Sequence, residues 1–314
     1  MTEIVSLPDI TGSAVLAALR GGVLSIGNFD GVHLGHASLL AQTRRLADQL
    51  GGPAIACLFD PHPIAILRPE LAPKRLTSID QRAQRMTKLS IDFLLVCQTS
   101  PALLNLSAKA FFDALVCDTL DCRGVVEGQN FCFGKDRQGD VRALRTWCGE
   151  HGIKFRVAEM ESVDGSMISS TRIRDLLAGG DVRTAAAMMA TPHVIRGRVG
   201  HGDRRGRTLG FPTANLEQID VVIPAAGVYA GYASVGDTRH RAAIHIGESP
   251  TFQSGDATKV EVHLIGFDGD LYDQTLDVEL IDRVRGVVRF HSVDALTDQL
   301  RKDIRFAQQL LVAP

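Results

Sequence analysis

The hydrophobic pattern of this 314-residue chain changes near residue 190, and that change limits the folds open to it. Before it, short β-branched runs alternate with longer helical stretches. After Pro192, helical periodicity fades and short strands with glycine-rich turns follow. The first pattern predicts βαβ units and a parallel sheet, whereas the second predicts a small antiparallel barrel. We therefore expect an α/β domain followed by an all-β domain, with the boundary at residues 187–192.

Strands and helices can be assigned from the same periodicities. In the first part, the predicted strands are Val23–Ile26, Ala54–Phe59, Phe93–Val96, Gly124–Glu127 and Phe155–Val157. The predicted helices are His36–Leu50, Gln81–Leu89, Lys109–Thr119 and Val141–His151, with two short helices starting near Ser170 and at Asp181. In the second part, the predicted strands are Val194–Val199, Gly227–Val235, Arg241–Ile246, Lys259–Phe267 and Thr275–Arg283. A helical pattern from Val293 to Leu311 ends the chain.

Composition and charge argue against several classes of protein. The formal net charge is −2, so no global positive field favours nucleic acid or an anionic membrane. The sequence contains no apolar run of membrane-spanning length. Glu3 and Asp9 occupy the region in which a signal peptide carries basic residues, so a signal peptide is not expected. The six cysteines form no CxxC pair and no zinc-ligand spacing. Reduced, buried thiols in a cytoplasmic protein are the expectation.

A glycine-rich segment, GNFDGVHLGH at residues 27–36, lies between the first predicted strand and the first long helix. Open parallel sheets bind ligands at the carboxyl ends of their strands, and a helix N-terminus there attracts phosphate. His33 and His36 are three residues apart, which brings both imidazoles to one side of the turn. They can donate hydrogen bonds to charge that develops on a phosphate. Two ordinary surface histidines are the alternative, but the HxGH form resembles the motif of the nucleotidyltransferase superfamily.

A second phosphate-binding candidate is the segment ISSTRIR, which precedes a short predicted helix. Ser169, Ser170 and Thr171 can cap that helix, which is a sufficient explanation by itself. Arg172 and Arg174 add two guanidinium groups that suit phosphate. Cations in a first helical turn oppose the helix dipole, which favours a ligand-facing role. The nucleotidyltransferase superfamily has such a segment opposite its HxGH motif.

Two more polar segments follow predicted strands. FDPHP, with Asp60 and His62, follows the second strand, and GQNFCFG, with Asn130, follows the fourth. Both therefore reach the carboxyl edge of the predicted sheet. Taken alone, each is explained equally well by ordinary turn chemistry.

The second part of the chain contains a cationic loop at residues 200–216, in which glycines alternate with arginines. Its N–H groups and guanidinium groups suit a polyphosphate, although no GxxxxGK[ST] motif is present. Thr213 and Asn215 point the same way on an extended segment, and their oxygens can hold a Mg²⁺ ion that bridges ATP phosphates. A basic surface hairpin or a nucleic-acid patch is the alternative.

The segment KVEVHL alternates apolar and polar residues. Val260, Val262 and Leu264 share one face of the predicted strand, and Glu261 and His263 share the other. A solvent-facing glutamate is the commoner situation. The functional alternative makes Glu261 the base that accepts a proton from a substrate hydroxyl.

In combination, these motifs resemble the bacterial bifunctional riboflavin kinase/FMN adenylyltransferase (FAD synthetase) family over nearly the whole chain. The matching segments, in order, are GNFDGVHLGH, FDPHP, GQNFCFG, ISSTRIR, GDRRGRTLGFPTANL, GVYAG, SPTF, VEVHL and DGDLY. The resemblance implies a Rossmann-like nucleotidyltransferase domain over residues 1–187. It further implies a six-stranded antiparallel riboflavin kinase barrel with a terminal helix over residues 188–314.

The resemblance also implies roles for individual residues. The implied catalytic residues are His33, His36, Arg172 and Glu261. The implied ATP contacts are Gly27, Asn28, Phe29, Asn130, Ser169, Ser170, Thr171, Gly202, Arg207 and Gly210. The implied flavin contacts are Asp60, His62 and Arg285, and the implied Mg²⁺ ligands are Thr213 and Asn215.

Two successive transfers are the implied chemistry. Riboflavin and ATP give FMN and ADP, and then FMN and a second ATP give FAD and pyrophosphate. Mg²⁺ enters with ATP, and FMN and FAD are substrate and product rather than prosthetic groups. No nucleic acid or membrane partner is expected, and the pattern does not determine an oligomeric state.

Departures from the family pattern keep other interpretations open. Gly266 stands where the family has an acidic residue, Asp273 where it has glycine and Val287 where it has glutamate. The junction Met189–Pro192 replaces a common Gly-Arg-Pro run. These changes favour, as an alternative, a monofunctional adenylyltransferase with a flavin-binding or regulatory barrel. A third hypothesis is a nucleic-acid-binding protein or class I synthetase relative, against which the net charge and the lack of a KMSKS-like loop argue.

Overall fold

The structure is a computed structural model that describes residues 1–10, 17–159, 162–163, 166–201, 210–248 and 258–311. Its contacts divide the chain into two compact units, residues 1–73 with 78–168, and residues 74–77 with 169–314. The predicted order, α/β and then all-β, is confirmed. The domain boundary between residues 187 and 188 stays a prediction. No described helix is both long and apolar enough to cross a membrane.

The first unit is built on a parallel sheet of six strands in the order β1-β4-β3-β2-β5-β8. The strands of this unit are β1 (Glu3–Leu7), β2 (Val23–Ile26), β3 (Ala54–Asp60), β4 (Phe93–Gln98), β5 (Gly124–Gly128), β6 (Cys132–Phe133), β7 (Gly139–Asp140), β8 (Lys154–Ala158), β9 (Ser162–Val163) and β10 (Ser166–Met167). The chain runs from β2 outward to β3 on one side, whereas β5 pairs with β2 on the other. This reversal is the point at which doubly wound sheets bind ligands.

Helices cover both faces of this sheet, as the βαβ pattern requires. They are α1 (Leu34–Leu50), α2 (Pro63–Leu67), α3 (Ile79–Thr87), α4 (Pro101–Leu104), α5 (Ala108–Phe112, continued as a π-helix over Asp113–Thr119) and α6 (Val141–Glu150). One apolar cluster packs Phe112 and Leu115 against the sheet, and another packs Leu40 and Met86 against its other face. Burial on both faces explains why the central strands read as continuous apolar runs.

The second unit begins with helices α7 (Ser170–Gly179) and α8 (Val182–Met189) and continues as a closed barrel. The barrel order is β11-β12-β15-β14-β13-β16, and every pair is antiparallel. The remaining elements are β11 (His193–Gly200), β12 (Ala214–Glu217), β13 (Gly227–Val235), β14 (Thr238–Glu248), β15 (Thr258–Leu264), β16 (Thr275–Arg285) and helix α9 (Val293–Leu310). The predicted six-stranded barrel and terminal helix are confirmed.

Alternate residues of the barrel strands fill its interior, as a small closed barrel requires. Ile244, Val260 and Val278 are fully buried there. On the outer surface, Ala230 and Tyr232 of β13 pack against Ala307 and Leu311 at the end of the chain. The barrel therefore has an interior core and a second core beneath α9.

Three positions at which this chain departs from the family pattern have a positive φ angle. Asp273 has φ +64° and donates its N–H to Val199, and its carboxylate pairs with Arg198 at 2.9 Å. Aspartate is among the few residues that adopt this left-handed conformation readily. Ala190, which ends α8, has φ +54°, and Gly266 has φ +78°. The barrel closes despite these substitutions.

Candidate functional sites

The HxGH loop connects β2 to α1 at the reversal of the parallel sheet. His33 is the N-cap of α1, and its Nδ1 accepts a hydrogen bond from the backbone N–H of His36 at 3.3 Å. A Cβ on Gly35 would lie 3.2 Å from the His33 ring, so glycine there leaves room for the imidazole. The free N–H groups of this helix end offer an anion-binding site.

The two imidazoles lie together, as the sequence predicted. Their ring centroids are 3.6 Å apart with 14° between the planes, and Phe29 meets His36 edge-on at 5.4 Å. Burial lowers the pKa of His33 to about 4 and the pKa of His36 well below its usual value, so both rings are neutral at pH 7. Because Nδ1 of His33 accepts a hydrogen bond, its proton resides on Nε2. Among the described residues, no group bonds to the buried Nδ1 of His36.

Helix α3 holds this loop in place. Arg82 pairs with Asp30 at 2.8 Å, with both side chains about 6% exposed, and it also donates to the carbonyl of Asn28 at 3.0 Å. Arg85 donates to the carbonyl of Gly31 at 2.6 Å. The loop needs such support because two of its non-glycine residues, Phe29 and Val32, have positive φ. Neither arginine could be predicted from the sequence, because their contacts join positions more than fifty residues apart.

A buried carboxyl group joins the two strands at the sheet reversal. Glu127 of β5 is 1% exposed and accepts the N–H of Ile26 at 2.6 Å. Burial raises its pKa well above the usual value. Among the described residues of β2, Val23 and Leu24 pair with the backbone of β5, so the Glu127 side chain satisfies a donor beyond the ladder.

The low pKa of His33 predicts a pH dependence for the stability of the first unit. Between pH 6.5 and about 4, an unfolded histidine binds a proton that the folded His33 does not, so stability falls as pH drops through that window. Across the whole window, the free energy of unfolding falls by about 3 kcal/mol, because a difference of one pKa unit corresponds to about 1.36 kcal/mol. Trp147 is the only tryptophan and lies in this unit, so its fluorescence in urea reports the transition. In His33→Gln the stability should fall less steeply over this window, and an unchanged slope would contradict the prediction.

The other predicted segments of the first unit lie where the sequence placed them. Asp60 ends β3, and His62 is the N-cap of α2, with Nδ1 accepting the N–H of Ile64 at 3.0 Å. Asn130 is exposed in the turn after β5. Their predicted contacts with flavin and ATP stay predictions.

ISSTRIR begins α7, which belongs to the second unit. Ser169 is the N-cap and accepts the N–H of Arg172 at 3.2 Å, while Arg174 donates to the carbonyl of Lys74 at 2.8 Å. Ser170 and Thr171 form the first turn of the helix. Within the described part of the chain, a buried guanidinium nitrogen of Arg172 has no hydrogen-bond partner. That unsatisfied donor fits an anionic ligand.

A row of polar side chains crosses three neighbouring strands on the outside of the barrel. Glu261 of β15 stands directly opposite Asn215 of β12 on one side and His245 of β14 on the other. The flanking residues Val260 and Val262 are fully buried inside the barrel. The predicted division of β15 into an apolar face and a polar face is therefore confirmed.

Both carboxylate oxygens of Glu261 have cationic or polar partners. Nζ of Lys259 lies 2.9 Å from Oε1, and Nδ1 of His245 lies 3.3 Å from Oε2. The His245 hydrogen bond, followed by Lys259, lowers the pKa of Glu261 to about 2. The carboxylate is thus ionised throughout the neutral range.

The predicted Mg²⁺ ligands lie beside this row. Thr213 is exposed just before β12, and Asn215 lies within it. The buried Oδ1 of Asn215 has no hydrogen-bond donor among the described residues. An unsatisfied amide oxygen is a ligand that Mg²⁺ accepts, so these residues fit the ion. Gly210 is exposed with φ +81°, whereas Gly202 and Arg207 lie outside the described residues.

Arg285 holds the terminal helix. Its Nε and Nη2 donate to the carboxylate of Asp303 on α9, with a shortest distance of 2.7 Å. Its guanidinium carbon lies 5.8 Å from the centroid of the Phe290 ring. Gln299 donates to the same carboxylate at 2.8 Å. The side chain of Asp303 is only 4% exposed. The predicted flavin contact of Arg285 stays a prediction beside this structural role.

Removing the carboxylate charge should destabilise the barrel. Asp303→Asn leaves the Arg285 guanidinium, whose side chain is 19% exposed, without its ionic partner, and breaking a buried pair costs about 3 kcal/mol or more. Urea unfolding followed by circular dichroism measures the loss. Asp298→Asn is the matched control, because its pair with Arg301 on the same helix is exposed and should contribute under about 1 kcal/mol. Equal stability of the two variants would contradict the anchoring role.

One further cluster of possible metal ligands occurs within the described ranges. Ligand atoms of Asp113, Cys117 and His151 lie within 4.8 Å of one another. Lys109 already pairs with Asp113 at 2.5 Å, so an ion would have to displace the ammonium group. We therefore assign no metal to this cluster.

Comparisons with known proteins match both units. The family model described as FAD synthetase matches residues 16–172, and the model described as riboflavin kinase matches residues 189–311. A bifunctional riboflavin kinase/FMN adenylyltransferase from Pseudomonas fluorescens is 36% identical over 93% of this chain and 93% of its own length. One of the same description from Escherichia coli (strain K12) is 34% identical, covering 91% and 92% respectively.

A solved structure agrees in fold over nearly the whole length. The crystal structure described as a macrolide-efflux protein from Streptococcus pneumoniae aligns with a TM-score of 0.88 at 27% identity. It covers 97% of this chain and 98% of that one. Its description concerns that protein, whereas sequence similarity over both units decides the family here. This chain belongs to the bifunctional riboflavin kinase/FMN adenylyltransferase family.

Proposed function

We propose that this chain makes FAD from riboflavin in two transfers, each carried out by its own set of residues. It is a transferase with riboflavin kinase and FMN adenylyltransferase activities, and its substrates are riboflavin, FMN and ATP. The observation that carries the proposal is that one chain contains both the stacked neutral histidines of a nucleotidyltransferase loop and a closed barrel bearing the Asn215–Glu261 row.

In the kinase reaction, the 5′-hydroxyl oxygen of riboflavin attacks the γ-phosphorus of ATP. A new O–P bond forms, the bond to the β–γ bridging oxygen breaks, and ADP leaves. Glu261 orients the hydroxyl group and accepts its proton. Thr213 and Asn215 supply neutral oxygens to the Mg²⁺ that enters with ATP, and Gly202, Arg207 and Gly210 contact the phosphates.

In the adenylyl transfer, a phosphate oxygen of FMN attacks the α-phosphorus of a second ATP. A phosphoanhydride bond forms, the α–β bridging bond breaks, and pyrophosphate leaves. The Nε2–H of His33 and the imidazole of His36 donate to the phosphate oxygens as negative charge moves among them. Neutral rings suit this task because each retains one donor and one acceptor. Arg172 adds a charged donor, and neither transfer needs a covalent enzyme intermediate.

Further ligand contacts follow from the same proposal. Gly27, Asn28, Phe29, Asn130 and Ser169–Thr171 contact the adenylylating ATP, and Asp60 and His62 contact FMN. Arg285 lies near the flavin of the kinase reaction. The scheme involves no nucleic acid or membrane. The enzyme acts in the cytoplasm, where reducing conditions suit its six free cysteines.

Two fragments test the independence of the kinase. Residues 188–314 contain the barrel and α9, whereas residues 169–314 also contain α7 and α8, whose Val182 and Ala185 are fully buried. Both fragments should convert riboflavin to FMN and produce no FAD. The longer fragment should unfold at the higher temperature, because α8 packs on β11 and β16. FAD formation by either fragment, or kinase activity in neither folded fragment, would contradict the assignment of activities.

A further inference from the structure

We propose that His245 and Lys259 are positioning residues that fix the carboxylate of Glu261 for the riboflavin kinase reaction. This inference rests on the proposed role of Glu261. The observation behind it is that the two side chains hold different oxygens of one carboxylate, Lys259 on Oε1 and His245 on Oε2.

Strand register sets this arrangement. His245 faces Glu261 across the β14–β15 pair, and Lys259 lies two residues before Glu261 on the same outer face of β15. A glutamate has three rotatable side-chain bonds, and two donors on opposite oxygens restrict all of them. Reaction rates depend steeply on such placement, with misplacement by 1 Å reducing a rate by roughly 10²-fold.

The arrangement leaves the carboxylate able to act on substrate. A carboxylate has about four lone-pair positions, and the two donors use two of them. The remaining positions can accept the hydroxyl proton of riboflavin. Lys259 also offsets the negative charge that Glu261 would otherwise present to the phosphates of ATP, since like charges repel.

Gly247 supplies a second, independent observation. A Cβ at this position would lie 2.8 Å from Cε1 of His245, closer than side chains approach one another. The glycine therefore leaves room for the imidazole to lie beside Glu261. Gly247→Ala should displace the ring and resemble a His245 variant in its kinetics.

The test measures riboflavin kinase activity for His245→Ala, His245→Gln and Lys259→Met, each in the parent and in Glu261→Gln. In the parent, His245→Ala and Lys259→Met should each lower kcat about tenfold, which is less than the roughly 10²-fold loss for a misplacement of 1 Å. The KM for MgATP should not change. His245→Gln should recover most of the rate because its amide keeps a donor. In the Glu261→Gln background the same changes should have almost no further effect, because coupled residues are non-additive.

His240→Ala is the matched control, since it lies on the same strand and its ring contacts only Phe267 among the described rings. It should keep the parent rate, and circular dichroism should show a folded barrel in every variant. Parent-level kcat in both His245→Ala and Lys259→Met would overturn the inference. Equal losses in the two backgrounds would also overturn it, because they would show a merely structural effect. Parent-level activity of Glu261→Gln alone would instead contradict the proposed role of Glu261.

Discussion

Replacing His36 with alanine should lower FAD formation from supplied FMN by about 10²–10³-fold, the usual loss when one transition-state donor is removed. The ring stacks on His33 at 3.6 Å, and within the described residues nothing bonds to its buried Nδ1. A phosphate ligand would satisfy that nitrogen when its proton resides there. Initial rates of FAD and pyrophosphate formation measure the effect.

Riboflavin kinase activity in the same protein is the internal control. It should stay at the parent rate, because His36 belongs to the first unit and the proposed kinase residues belong to the second. Ser38→Ala, two residues later in α1, should preserve both rates. A folded His36→Ala variant that loses both activities would contradict the assignment of separate residues to the two reactions.

Replacing Glu261 with glutamine should lower kinase turnover by about 10²-fold. General-base catalysis contributes about 10²–10⁴-fold, and a base whose pKa is held at about 2 belongs at the lower end of that range. Glutamine keeps the size and a hydrogen-bonding oxygen but loses the charge. The affinity for MgATP should change little, because Thr213 and Asn215 remain.

Steady-state kinetics with riboflavin and MgATP measure this loss, and adenylylation of supplied FMN is the control that should not change. Glu279→Gln is a matched variant, since this carboxylate pairs with Arg239 on another part of the barrel. Kinase turnover at the parent rate in Glu261→Gln would mean that the residue only stabilises the surface of β15.

Local motifs explain how much of the fold and site could be predicted. The HxGH site could be predicted because its strand, loop and helix start are contiguous in the sequence. The two faces of β15 could be predicted because its alternate apolar residues point into the barrel. Strand β12 was missed from periodicity because it has four residues and follows a glycine-rich loop. Strand β1 was missed because it is a largely exposed edge strand of five residues.

Long-range partners could not be read from the sequence. Arg82 and Arg85 contact the HxGH loop because α3 packs beside it. The spacing of residues along the sequence does not predict that packing. The pairing of His245 with Glu261 depends on the register between β14 and β15, which a shift of one residue would remove. The role of Arg285 as the partner of Asp303 likewise required the position of α9.

In the proposed function, a single chain performs both transfers. Incubation of the purified full-length protein with riboflavin, MgATP and excess pyrophosphatase, followed by chromatography over time, tests it most directly. FMN should appear first and FAD should follow, and a mixture of His36→Ala and Glu261→Gln should restore riboflavin-to-FAD conversion that neither supports at the parent rate. If the parent protein leaves riboflavin unchanged while converting supplied FMN to FAD, the barrel is not a kinase and the account is wrong.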